Sequence, residues 1–103
     1  MKILGIRFCS VTEQAQDELD FFQNKLGLSN DFPESEGFIG GVFPTSDKAS
    51  WVECWQASEE MPAGVMLQLV VEDADAFAEN IKTNGVEPHG PIDAHGERIY
   101  YLK

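Results

Sequence analysis

Residues 65–86 read VMLQLVVEDADAFAENIKTNGV, and the order of signals within them decides the fold. Val65 to Val71 is an uncharged run rich in β-branched and aliphatic residues, the composition of a strand. Asp73 follows as a helix N-cap, and Ala74, Phe77, Ala78 and Ile81 recur at helical spacing as one apolar stripe. Asn84-Gly85 supplies the left-handed stop, and Val86 is the aliphatic residue after it. The same order occurs in residues 3–28, ILGIRFCSVTEQAQDELDFFQNKLGL. There Leu4, Ile6 and Phe8 alternate against Gly5, Arg7 and Cys9, and Thr12 is the expected cap. The helical stripe is Ala15, Leu19, Phe22 and Leu26, and Gly27-Leu28 ends it. Strand, capped helix, glycine and aliphatic residue are thus written twice, which predicts a tandem duplication of one α+β module.

The connections complete each half. Asn30 to Gly37 is a polar, proline-containing link. Phe38 to Phe43 and Ser50 to Ala57 read as two strands joined by the turn-rich Pro44-Thr45-Ser46-Asp47-Lys48, a β-hairpin. Ser58 to Gly64 mixes charge, proline and glycine and is the expected hinge, dividing a single domain into modules at 1–58 and 64–103. Val86 to Ile92 is a weak strand broken by Pro88 and Pro91, Asp93 to Gly96 is a turn, and Arg98 to Lys103 is a final strand. A ferredoxin-like sandwich is the competing arrangement, but it leaves the 38–57 hairpin as an insertion.

Composition narrows function. Seven Lys and Arg against eighteen Asp and Glu give a formal net charge of -11. That field repels phosphate backbones and anionic lipid, so neither nucleic acid nor a membrane is the expected partner. A cationic small ligand would be drawn in, although an acidic surface also serves solubility alone. The short apolar start before Arg7 is no signal-peptide core, and a cytoplasmic protein is expected. Cys9 and Cys54 are too few for a disulfide scaffold and sit inside strand patterns as small core-type residues. His89 and His95 fall in Pro- and Gly-rich connections without a shared helical face, and read as surface histidines. No Ser-His-Asp set, P-loop or GxGxxG occurs.

Four features together resemble a known family. They are the two modules, the helix end Phe21-Phe22-Gln23-Asn24-Lys25-Leu26-Gly27-Leu28, the step Val71-Glu72-Asp73, and the strand Gly96-Glu97-Arg98-Ile99-Tyr100-Tyr101. In order and spacing they resemble the vicinal-oxygen-chelate superfamily of glyoxalases, bleomycin-resistance proteins and extradiol dioxygenases, over essentially the whole chain. The resemblance implies an α+β fold of two tandem βαβββ modules whose curved mixed sheets enclose a cleft, commonly completed by a homodimer. The last strand of the second module would lie beyond Lys103. The edge this leaves is a reason to expect a dimer.

The superfamily's enzymes hold a divalent metal in that cleft on His, Gln or Glu side chains, and the resemblance carries their positions onto this chain one by one. The first falls on Arg7, which has no lone pair to offer and repels a cation. The carboxylate strand matches Trp51-Val52-Glu53-Cys54-Trp55, so Glu53 holds its place. The second-module histidine position falls on Met66, a soft thioether unsuited to hard or borderline cations. The expectation is therefore no metal and no cofactor, and a binding protein for a small organic molecule. A metal-dependent glyoxalase- or dioxygenase-like enzyme with other ligands is the alternative, and a structural module with a filled cleft is a third. The expected cleft lining is Arg7, Trp51, Glu53, Trp55, Met66 and Gln68: flat apolar walls with an amide and two opposite charges, suited to an aromatic or cationic ligand. Arg7 and Glu53 on neighbouring strands would either pair with each other or leave Arg7 to anchor a carboxylate or other oxyanion. Each Trp or Met is also accounted for as core or interface filling. Tyr100 and Tyr101 point to opposite faces, and the sequence leaves open which one reaches the cleft.

Overall fold

A computed structural model of the chain describes residues 2–32 and 39–102. The elements run β1 (Ile3–Thr12), α1 (Ala15–Asp20), a wider π-helical turn (Phe21–Lys25), β2 (Gly40–Pro44), β3 (Trp51–Gln56), β4 (Gly64–Val71), α2 (Ala74–Lys82), β5 (His89–Ala94) and β6 (Glu97–Tyr101). The class is α+β, with the strand–helix–strand–strand order appearing twice as the repeated signals predict. Phe38, expected in the first hairpin strand, lies outside the described residues. The chain forms two compact units, one of Gly5–Leu69 and one of Met1–Leu4 with Val70–Lys103.

The Gly5–Leu69 unit is a mixed four-stranded sheet of order β2-β3-β1-β4. Residues 40–56 form the expected antiparallel hairpin, with Phe43 opposite Val52 and Gly41 opposite Cys54. Strand β3 then runs parallel to β1, setting Arg7, Cys9 and Val11 beside Trp51, Glu53 and Trp55. Parallel neighbours cannot be joined by a tight turn, and α1 lies in the crossover between them. It packs Leu19 into a core with Phe43 and the fully buried Cys54, and Phe22 joins against Phe43 with ring centroids 5.1 Å apart.

Two expectations for this helix fail for local reasons. Thr12 does not cap it: β1 continues through Thr12, Gln14 takes the cap position without a side-chain bond, and the Thr12 hydroxyl accepts instead from the Gln14 N–H at 3.1 Å. The apolar stripe also stops short of Leu26, which is exposed. At Phe21 the helix widens, so that Leu26 N–H donates to Phe21 C=O at 2.9 Å, five residues back. An i to i+5 turn rotates every later side chain off the 3.6-residue register. Leu28, the aliphatic residue after the stop, is likewise exposed.

In the other unit the second helix follows its signals. Asp73 is the N-cap, its Oδ1 accepting from Ala76 N–H at 3.0 Å. Gly85 ends the helix with φ +87, where the Gly85 and Val86 amides donate to Lys82 and Ile81 carbonyls. Only a residue without Cβ adopts that backbone cheaply. β5 and β6 form an antiparallel ribbon through a tight His95-Gly96 turn. The strands reach further into this turn than expected, leaving two residues for it in place of four. Asp75 on α2 binds β6 by accepting from Arg98 Nε at 2.7 Å and Tyr100 OH at 2.5 Å. Tyr100 therefore faces α2, and Tyr101 points the other way into solvent. Among the described residues no helix is long and apolar enough to cross a membrane.

Candidate binding face on strands one and three

The site is built on the sheet face opposite α1. Because Cys54 points into the core under α1, strand alternation turns Trp51, Glu53 and Trp55 to the other face, where β1 contributes Arg7 and Cys9. Glu53 is the centre. Trp51 Nε1 donates to its Oε2 at 2.5 Å and Trp55 Nε1 to its Oε1 at 3.0 Å. Residues at i and i+2 share one face of a strand, so the two indoles reach the carboxyl group from either side. Hydrogen bonds to a charged acceptor contribute about 1.5–3 kcal/mol each. The guanidinium carbon of Arg7 lies 3.8 Å from the centroid of a Trp51 ring, within the range of a cation–π contact. Arg7 and Glu53, expected either to pair with each other or to leave Arg7 as an anchor for an oxyanion, both contact the Trp51 indole.

Three residues join this face that sequence reasoning did not place there. Cys9 stands directly beside Glu53. Burial first, and then its hydrogen bond to the Glu53 carboxyl and the neighbouring charge, push its thiol up to about 12. Strand parity with Arg7 was the signal available for it. Phe32 packs edge-on against Trp55, centroids 4.8 Å apart, from a connection that reads as polar. Gly40 lies opposite Trp55 on β2, and a Cβ there would fall 2.0 Å from the indole Cε3. A glycine inside a strand pattern signals such close approach of a neighbour.

Met66 and Gln68 share a face of β4, with Gln68 Nε2 directed at Met66 Sδ at 3.6 Å. β1 separates that pair from β3. The described contacts thus join Arg7, Trp51, Glu53 and Trp55 into one cluster and Met66 with Gln68 into a second. His89 sits at the start of β5 and His95 in the β5–β6 turn, both exposed.

The donor set does not suit a divalent cation. Each oxygen of Glu53 already accepts from an indole, the guanidinium of Arg7 shares its face, and Cys9 holds its proton at neutral pH. Among the described residues no three His, Cys, Asp or Glu side chains come together as a ligand set. What the face offers instead is indole surface, a guanidinium and a fixed carboxyl group.

No family model matches the chain, and no curated protein does. Solved structures do match in fold. A methylmalonyl-CoA epimerase variant from Streptomyces coelicolor, in complex with 2-nitronate-propionyl-CoA, superposes with TM-score 0.67 at 21% identity, over 100% of this chain and 85% of that one. A hypothetical protein from Bacillus halodurans gives 0.69 at 21% identity, over 99% and 83%. A methylmalonyl-CoA epimerase in complex with methylmalonyl-CoA and NH4+ gives 0.65 at 20%, over 99% and 84%. The epimerases are members of the vicinal-oxygen-chelate superfamily, so the suspected fold is the one the chain has.

Proposed function

We propose that this chain is a metal-free binding protein for a small organic molecule, organised as one domain of modules 1–58 and 64–103 and acting in the cytoplasm as a homodimer. The observation that carries the reading is the Trp51–Glu53–Trp55 clamp with Arg7 stacked on it. Its indoles are held in place by the carboxyl group between them, so a ligand meets a wall whose ordering is already complete. Fold neighbours captured with CoA esters support a small organic ligand in general. Of the two ligand classes expected, the aromatic one is favoured. A guanidinium already lies over Trp51, where a ligand cation would have to displace it, whereas an aromatic ring adds to the indole wall without that displacement. Met66 and Gln68 extend the site along β4 in this reading.

The test is tryptophan fluorescence titrated with a panel of aromatic acids and aromatic amines. Saturable quenching by aromatic acids, weakened about tenfold or more by Arg7→Ala, is expected. Absence of saturable binding across the panel would reject the proposal. A second reading, a metal-dependent enzyme of the same fold, is favoured by the epimerases among the neighbours and opposed by the donor set. Metal analysis after dialysis separates the two, since about one equivalent of divalent metal per subunit would establish the second.

A further inference from the structure

The connection that follows α1 and its wider turn is tied to β2 at Val42. β2 is an edge of the four-stranded sheet, and Val42 turns its backbone groups outward there. Its N–H donates to Asn30 Oδ1 at 3.0 Å, and its C=O accepts from the Asp31 N–H at 2.8 Å. Asn30 Oδ1 also accepts from the Phe32 N–H at 2.9 Å. One amide oxygen thus fixes the backbone at Phe32 and at Val42 together. The two side chains fall on opposite faces of the sheet. A Cβ on Gly41 would meet Asn30 Nδ2 at 2.6 Å and Leu19 Cδ2 at 2.8 Å, so the Asn30 amide lies on the α1 face. Phe32 lies on the other, its ring at 88° to that of Trp55. Residues 30–32 therefore carry the chain round the edge of β2 and deliver a phenyl ring to the candidate binding face.

The structure assigns Asn30 as the positioning residue for Phe32, and Phe32 as the ring that lets this face select flat unsaturated ligands over saturated ones of the same outline. The assignment rests on the aromatic ligand of the proposed function. Two ring planes at right angles make a corner, where a ligand ring stacked on one plane meets the other edge to face, and both arrangements use the ring quadrupole. A saturated ring is thicker and has no such quadrupole, so it gains from area burial alone. The preference exists only while Phe32 is held in place. The Asp31 to Lys48 ion pair at 3.2 Å joins exposed side chains and contributes little to that. Removing the Asn30 oxygen, by contrast, leaves the Phe32 and Val42 amides without their acceptor at once. Covering an edge strand is protective in itself, but that role alone changes stability without changing which ring is preferred.

The test titrates the full chain with benzoate and with cyclohexanecarboxylate, alike in charge and outline, and follows the indole N–H signals of Trp51 and Trp55 by NMR. Benzoate is expected to bind about two- to tenfold more tightly. Phe32→Ala leaves the bonds of residues 30 and 31 in place and tests the ring alone; it should bring that ratio close to one. Asn30→Ala should do the same, and Asn30→Asp, which keeps the acceptor, should restore the ratio. Adding Asn30→Ala to Phe32→Ala should leave the ratio unchanged, because the two residues act through one ring. A nuclear Overhauser contact between the Phe32 and Trp55 rings, which needs no ligand, should persist in Asn30→Asp and vanish in Asn30→Ala. Equal binding of the two acids by the unsubstituted chain, or an Asn30→Ala protein that keeps both the ratio and the ring contact, would overturn the assignment. Failure of both acids to bind refutes the ligand reading and the selectivity with it, whereas the ring contact still decides whether Asn30 positions Phe32.

Discussion

Gly40→Ala is the substitution that most directly tests the clamp. The added Cβ would lie 2.0 Å from Trp55 Cε3, 2.5 Å from Cζ3 and 2.7 Å from the Cys54 carbonyl oxygen. Trp55 cannot simply swing away. Its Nε1 donates to Glu53 at 3.0 Å and its ring meets Phe32 edge-on at 4.8 Å. Overpacking costs about 1–3 kcal/mol where side chains can shift, and loss of a hydrogen bond to a charged acceptor adds about 1.5–3 kcal/mol. A partial sum of about 3–4 kcal/mol follows. For a domain of this size, 1 kcal/mol moves Tm by roughly 4–8 °C, so a fall of about 12–30 °C is expected. The assay is thermal and urea unfolding followed by tryptophan fluorescence. Gly64→Ala serves as control, because its Cβ meets nothing within 4 Å. A Gly40→Ala protein within about 0.5 kcal/mol of the Gly64→Ala control would refute the packing argument, and with it the clamp as a rigid wall.

Two further outcomes follow from the titrating groups. With its thiol raised from an ordinary 9.0 to about 12, Cys9 carries roughly a thousandfold less thiolate at pH 8 than a free cysteine. Alkylation of Cys9 in the folded protein should be slower by at least that factor, and Glu53→Gln should speed it by removing the acceptor and its charge. Mass-spectrometric labelling at free-thiol rates would contradict this. In the β5–β6 unit, the bonds from Tyr100 and Arg98 hold the Asp75 carboxyl below its usual range, while Asp75 raises the Tyr100 phenol. Stabilisation by Asp75 is therefore present above an ordinary carboxylate pKa of about 3.9 and lost as pH falls through its lowered folded value. That of Tyr100 is present below about pH 10 and lost as pH rises through its raised value. Spectrophotometric titration should show one tyrosine ionising late, and Asp75→Asn should abolish the delay. An unchanged curve in Asp75→Asn would show that the hydrogen bond does not form in solution.

Much of the architecture was legible because the signals are local. Asp73 needs only the Ala76 amide three residues on to act as a cap, and Gly85 needs only its missing Cβ. The 38–57 hairpin was readable from alternation and turn residues for the same reason. The failures come where a local signal competes with something distant. Thr12 has a good capping side chain, but β1 gains a partner through pairing with Gln56 of β3 and so stays extended. Leu26 has the right spacing for a regular helix, and the π-helical turn after Asp20 takes it off that face. Of the candidate site, alternation placed Trp51, Glu53 and Trp55 together, and it had placed Cys9 beside Arg7 without the pairing that gives Cys9 its meaning.

By itself, then, the sequence determined the repeat of strand, helix and glycine stop and the side-chain alternation of β1, β3 and β4, since these depend on neighbours within a few residues. Only the tertiary structure decided that β3 runs parallel to β1 in the register that sets Glu53 beside Cys9, that Trp51 mediates between Arg7 and Glu53, and that Phe32 and Gly40 frame Trp55. The physical reason is that register and ring packing are settled by contacts between residues far apart along the chain, where its local preferences have no reach and the fit of whole surfaces selects one arrangement.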